Sequence, residues 1–170
     1  PFGCLPEWRR QFFEFLFEGG RGLDHHFSRA LVNASLAGYV QVGDQAVLGG
    51  SAAIHQFVRI GRLALVGGAA RLIQDVPPFM IAVGNPAAVR ALNSVGLSRK
   101  GISPDAQKEL KKIYKDLYRS DLNFTQGIEK AKKESTSDEA RQLIAFVEAP
   151  SKRGILQKSG AEEESIAESE

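Results

Sequence analysis

Between residues 36 and 72 a branched aliphatic residue stands at every sixth position: Leu36, Val42, Leu48, Ile54, Ile60, Val66 and Leu72. Two residues before each is a small or β-branched residue: Ala34, Val40, Ala46, Ala52, Val58, Ala64 and Ala70. The residue after each is small in five of the first six steps (Ala37, Gly43, Gly49, Gly61, Gly67), and His55 is the exception. An amphipathic helix would return apolar residues about every 3.6 positions, and a half-buried strand would alternate strictly. A period of six predicts a parallel β-helix, in which each hexad forms one flat side of a coil and sends one aliphatic inward.

With three sides to a coil, residues three hexads apart stack. Leu36, Ile54 and Leu72 then make one ladder, Val42 and Ile60 a second, and Leu48 and Val66 a third. Each buried rung contributes roughly 1.5–3 kcal/mol. The small residues after the aliphatics are expected at the corners, where Gly permits the backbone angles of a tight turn. Eight hexads over 31–78 make fewer than three full coils. A stack this short needs caps, further coils or neighbouring subunits to bury its core.

The flanks keep a different rhythm. Residues 1–30 read as an unassigned leader out of register with the repeat. Trp8, Phe12, Phe13, Leu16 and Phe17 can line one side of a short helix that Gly19-Gly20 would stop. Such a helix would cap the open end of the coils, and the alternative is a poorly ordered leader. The coils are expected over 31–80, ending at Asp75-Val76-Pro77-Pro78, because prolines lack the donors a ladder needs. A small α-helical domain is expected over 81–156, entered through a connector at 79–102 with turn chemistry at Gly84-Asn85-Pro86. Ser103, Pro104 and Asp105 open a helix with Ala106, Leu110, Ile113, Tyr114 and Leu117 on one face. A second helix is predicted over Thr125–Lys133. A third follows Ser137, buries Leu143, Ile144 and Val147, and closes at Pro150. Residues 157–170 carry five Glu against one Lys and read as a disordered acidic tail.

Composition adds little. The 170 residues hold one domain, or a small one plus an appendage, and the formal net charge of +2 selects no partner. The single cysteine, Cys4, excludes an intramolecular disulfide, so a reducing, cytoplasmic location is expected. No apolar run is long enough to span a membrane, and no signal-peptide pattern is present. Pro1 in first position reads as the start of a fragment.

The segments IHQFVRIG (54–61), VGG (66–68), QDVPPFMIAVGNPA (74–87), LNSVGLSRKGIS (92–103), IYKDLYRS (113–120) and SKRGI (151–155) follow in unbroken order. Together they resemble the C-terminal half of the UDP-N-acetylglucosamine O-acyltransferase family, over about residues 31–156. The resemblance implies a left-handed parallel β-helix of hexapeptide repeats followed by a small α-helical C-terminal domain. It also implies a homotrimer with sites between neighbouring subunits, and no metal or redox cofactor. The implied reaction moves a 3-hydroxyacyl group from acyl carrier protein to the 3-hydroxyl of UDP-N-acetylglucosamine, the first step of lipid A biosynthesis.

A sugar hydroxyl needs a base to take its proton as it attacks a thioester, and a donor to meet the oxyanion. The family's base is a histidine in an HxxHD-like segment one coil before the position of Tyr39. Counting back lands on Gly20, and His25 and His26 are out of register. No catalytic base is assigned, and the chain is expected to be inactive as written. A shift of reading frame or an assembly error upstream of about Leu31 is the preferred account, and a genuine loss of catalysis the alternative.

The other site residues follow from the same resemblance. His55 and Gln56 match the substrate-contacting pair, and Tyr39 stands where many relatives carry His. Asn93 and Arg99 match residues near nucleotide and donor, although Val95 replaces an acidic residue found in many relatives. Gly68 matches a position that sets acyl-chain length. Residues 80–119 carry eight Lys/Arg against three acids. Arg99, Lys100, Lys108, Lys111, Lys112 and Lys115 are assigned to docking of the acidic carrier protein. No nucleic-acid motif accompanies this charge. Only one histidine, His55, lies in the coils, too few for a zinc-dependent β-helix enzyme. The competing readings are another hexapeptide-repeat acyltransferase, such as the N-acyltransferase acting later in the same pathway, and a non-catalytic trimerising or carrier-protein-binding scaffold.

Overall fold

The computed structural model describes residues 29–31 and 33–157. The expected leader helix, the position of the family's base and most of the acidic tail lie outside the described residues. Among the described residues eight two-residue strands come first: β1 (Arg29–Ala30), β2 (Ser35–Leu36), β3 (Gln41–Val42), β4 (Val47–Leu48), β5 (Ala53–Ile54), β6 (Arg59–Ile60), β7 (Leu65–Val66) and β8 (Arg71–Leu72). They pair in parallel as β1-β4-β7, β2-β5-β8 and β3-β6, which makes three flat sides. The registers Leu36↔Ile54↔Leu72, Val42↔Ile60 and Leu48↔Val66 are the three expected ladders. Their inner members Leu48, Ile54, Ile60, Val66 and Leu72 are at most 3% exposed. The small residues two positions earlier, Ala46, Ala52, Val58, Ala64 and Ala70, are buried beside them. Each hexad therefore sends two side chains inward, and the second must be small because the lumen is narrow.

The corners depart from expectation. Positive φ falls on a different column, Asn33, Tyr39, Gln45, Ser51, Phe57, Leu63 and Ala69, with φ between 53° and 66° and no glycine among them. Each is the third residue of a turn closed by an i→i+3 hydrogen bond where that bond is formed, as in Ala46 N–H to the Gly43 carbonyl at 3.2 Å. This is the type II position that usually takes Gly or Asn. Several corners are also held by the coil below, as where Leu63 N–H donates to Asp44 O and Ala69 N–H to Gly50 O. The glycines after the aliphatics serve close approach. A Cβ on Gly49 would lie 2.4 Å from Gly68 N, and one on Gly61 would lie 2.3 Å from Pro78 N.

The last turn of the coil is two residues short: Ile60 bridges Val76, and Val66 pairs with Ala82. Residues 79–102, expected as a connector, contain a hairpin. Strand β9 (Met80–Gly84) adds parallel to β7 and turns at the cis Asn85-Pro86 bond into antiparallel β10 (Ala87–Leu92). The expected boundary between residues 80 and 81 thus falls inside a strand.

Among the described residues four helices follow: α1 (Ser94–Arg99), α2 (Pro104–Tyr118), α3 (Phe124–Glu134) and α4 (Asp138–Glu148). Ser103 and Ser137 cap α2 and α4, and Asn123 with Gln126 forms a capping box on α3. Leu110, Ile113, Leu117, Ile128, Leu143 and Ile144 meet in a core continuous with that of the coils. Residues after α4 return to the coil stack. Asp75 N–H donates to Gly154 O, and Leu156 N–H donates to Asp75 O.

This return is clasped by a buried carboxylate. Asp75 is fully buried and accepts from Arg59 N–H at 2.8 Å, Arg59 Nε at 2.6 Å and Ser151 Oγ at 2.7 Å. Arg59 also reaches the Phe146 and Ala149 carbonyls at the end of α4 and lies 4.7 Å from the Phe146 ring centroid.

Candidate functional site

The candidate residues occupy two different corners of the prism. Residues 37–40 and 55–58 stack at the first corner, between the β2-β5-β8 and β3-β6 sides. His55 and Gln56 are exposed there, and Tyr39 is 81% exposed. His55 replaces the small residue of its column and points out of the coil, as its place in the repeat predicts. Its Nδ1 lies 3.2 Å from the Gln56 carbonyl. A hydrogen on Nδ1 would satisfy that carbonyl and leave Nε2 as an acceptor.

Tyr39 stacks on Phe57, with centroids 5.2 Å apart and planes within 14°. Lys152, on the returning segment, places its ammonium 4.3 Å from the Phe57 centroid. Phe57 and Lys152 are absent from the sequence-based assignment. Phe57 had a signal, since it stands three hexads from Tyr39 in the turn column, where other members are mostly small or polar. Lys152 had none, because nothing local reveals where residues 151–155 return.

Gly68 lies exposed at the third corner, with Gly50 below it. A Cβ there would meet only Gly50 O at 3.4 Å, so this chain leaves room for a side chain. Within one chain Gly68 and His55 therefore do not form one site.

Asn93 is bound into the fold. It is 7% exposed, donates through Nδ2 to Leu63 O at 2.8 Å and accepts from Gly96 N–H at 3.0 Å. Its amide caps α1 and ties that helix to the second corner, so it supports the helix that carries Arg99 and leads into Lys100. Arg99 and Lys100 lie at the exposed C-terminal end of α1, where cations complement the helix dipole.

Along α2, Lys108 pairs with Asp105 at 3.1 Å and Lys112 with Glu134 of α3 at 2.7 Å. The Glu134 hydrogen bond and charge hold the Lys112 ammonium above its ordinary pKa. Lys111 and Lys115 are exposed and form no ion pair among the described residues. Exposed pairs of this kind are weak and exchange readily, so all four lysines remain available to an acidic partner. Among the described residues, no group of three or more His, Cys, Asp or Glu is placed to hold a metal, and no helix is long and apolar enough to cross a membrane.

Residues 75–156 match a family model described as UDP-N-acetylglucosamine O-acyltransferase, domain 2. The chain is 49% identical over 129 residues to an acyl-[acyl-carrier-protein]–UDP-N-acetylglucosamine O-acyltransferase of Burkholderia multivorans, covering 73% of this chain and 49% of that relative. The Burkholderia mallei enzyme of the same name is 44% identical over the same share. Among solved structures, the UDP-N-acetylglucosamine acyltransferase from Campylobacter jejuni superposes with a TM-score of 0.69 at 36% identity, over 76% of this chain and 50% of that one. The Francisella novicida enzyme gives 0.73 at 31%, over 78% and 49%. The chain spans about half the length of the curated relatives it matches. With coils, hairpin and helices in the same order as the motifs that carry the likeness, it belongs to the UDP-N-acetylglucosamine O-acyltransferase family.

Proposed function

We propose that this chain is part of an enzyme that transfers a 3-hydroxyacyl group from acyl carrier protein to the 3-hydroxyl of UDP-N-acetylglucosamine, in the first step of lipid A synthesis. The observation that carries the reading is the identity of 49% to a relative bearing that name, through coils, hairpin and helices alike. The coil is left-handed, as in the family, and subunits associate side by side as a homotrimer. One feature supports that packing: Val47, Leu65 and Ile81 lie in register on the outer face of the five-stranded side and are only half-exposed. The separation of His55 and Gly68 onto different corners supports sites completed by a neighbour.

At such a site His55 and Gln56 contact the sugar nucleotide, and Tyr39 offers a hydroxyl in place of an imidazole. Arg99 can grip phosphate with its forked guanidinium while Lys100 acts as a point charge. Asn93 holds the helix that presents both. Gly68 leaves space for the acyl chain. Lys108, Lys111, Lys112 and Lys115 steer the acidic carrier protein. No metal or redox group takes part, and the enzyme works in the cytoplasm. The coils and the helical domain divide these tasks, and β9 and β10 lead from one to the other.

Gly20 stands where the family carries its base, so this chain alone is expected to turn over little. The test is a transfer assay with 3-hydroxyacyl carrier protein and UDP-N-acetylglucosamine. A version carrying upstream coils with the HxxHD-like segment should be active and this chain nearly silent. Equal rates would show that the base is supplied elsewhere, and silence from both would favour a scaffold.

A further inference from the structure

The returning segment 151–154 is built as a rigid mount for Lys152. Ser151 Oγ donates to the buried Asp75 carboxylate and accepts from Arg153 N–H at 3.0 Å and Gly154 N–H at 2.8 Å. Arg153 Nε donates to the Ile73 carbonyl at 2.9 Å, and Gly154 takes a φ of 71°, a left-handed angle open to glycine. The residue between these anchors is exposed, and its ammonium sits at the Phe57 ring, beside Gln56 and His55 in the chain and stacked on Tyr39 in space. Among the described residues Lys152 forms no ion pair, and the Asp75 carboxylate below Ser151 is taken up by Arg59 and Ser151.

A surface lysine ordinarily samples many rotamers in water. Here the backbone is fixed on both sides and an aromatic face holds the head group. Preorganisation of this kind lowers the entropy lost when an anion binds. The neighbours His55, Gln56 and Tyr39 are hydrogen-bonding groups without negative charge, so among the described residues none of them neutralises the ammonium.

We infer that Lys152 is a phosphoryl-contacting residue of this corner, receiving a phosphate oxygen of a substrate while Phe57 positions it. The inference rests on the proposed acyltransferase reading for the identity of that substrate. The phosphoryl group belongs either to the nucleotide sugar or to the phosphopantetheine arm of the carrier protein.

The test is calorimetric titration of the full chain and its Lys152→Met and Lys152→Arg variants with UDP-N-acetylglucosamine and, separately, with hydroxyacyl carrier protein. Methionine keeps the contact with Phe57 and removes the charge. Loss of one charged hydrogen bond should weaken the responsible ligand about tenfold or more, and arginine should restore most of it. The Lys152→Met variant should also lose part of the salt dependence, which a merely structural role would not alter. A fall confined to UDP-N-acetylglucosamine assigns the diphosphate, and a fall confined to the carrier assigns its phosphodiester. Unchanged affinity for both overturns the inference and leaves the acyltransferase reading standing. If the unmodified chain binds neither ligand, that reading fails. Inorganic pyrophosphate followed by phosphorus NMR then decides the role of Lys152, since equal binding by the chain and its methionine variant overturns it.

Discussion

Asp75→Asn removes one charge and changes almost no volume, at the point where coils, α4 and the returning segment meet. The carboxylate is fully buried, while the Arg59 side chain retains 16% exposure. An asparagine can still accept from Arg59 N–H through its oxygen. Its NH2 group would face two donors, Arg59 Nε and Ser151 Oγ, that now converge on Oδ2 at 2.6 and 2.7 Å. The guanidinium would be left largely desolvated without its counter-charge. Removing one partner of such a pair costs about 3–5 kcal/mol, against a total stability of roughly 5–15 kcal/mol for an ordinary domain. In urea titration, with a slope of about 2 kcal/mol per molar, the midpoint should fall by about 2 M. Arg59→Met should cost a similar amount by stranding the carboxylate. The double variant should lose much less than the sum, with a coupling of about 2 kcal/mol or more. A midpoint shift under about 0.3 M, or additivity within about 0.5 kcal/mol, would refute the clasp as the joint between coils and helices.

Further outcomes follow from the same packing. Ala69→Gly relieves a left-handed corner at φ 55° and should stabilise by about 0.5 kcal/mol, after the unfolded-state cost of glycine. Gly49→Ala should destabilise by about 1–3 kcal/mol, because its Cβ would lie 2.4 Å from Gly68 N; thermal melts of both decide between the corner and close-approach roles. Gly68→Met, in a catalytically complete enzyme, should shift preference toward shorter acyl donors, and equal rates with long and short donors would count against it. Partial burial opposes ionisation of Glu109, but hydrogen bonds from Ser137 and Thr136 outweigh it and hold the carboxyl below its ordinary pKa. Its stabilising effect is therefore present above the ordinary glutamate range and lost as pH falls through the lowered value. Glu109→Gln should flatten that part of the acid unfolding curve, and an unchanged curve would remove Glu109 from the account.

The repeat was legible because its cause is local and periodic. A narrow lumen forces an aliphatic to return in phase along each ladder, as Ile54 does between Leu36 and Leu72. Helix ends were legible for a similar reason, since Ser103, Pro104 and Ser137 act on their own first turns. Glycine is the residue local preference puts at a corner, yet the corners are Tyr39, Ser51 and Ala69, and the glycines yield to coil-on-coil contact. That distinction depends on what the next coil brings against each position, as Gly68 is brought against Gly49. The hairpin at 80–92 was missed because Gly84-Asn85-Pro86 reads equally as a loop. The Asp75 clasp and the Lys152–Phe57 contact join residues 16 and 95 positions apart, and no periodicity links them. Asn93 carries a structural role that its sequence context did not show: its amide caps α1 and reaches Leu63, a residue 30 positions away.

The account turns on the first corner as the place where the sugar nucleotide binds. Proton and nitrogen NMR of the His55 imidazole, during titration of the full chain with UDP-N-acetylglucosamine, reads that corner directly. Only three histidines are present, so the assignment needs one His55→Gln variant. The expected result is that the His55 resonances move saturably with added nucleotide sugar. Saturable binding that leaves His55 unmoved, or no binding at all, would contradict it.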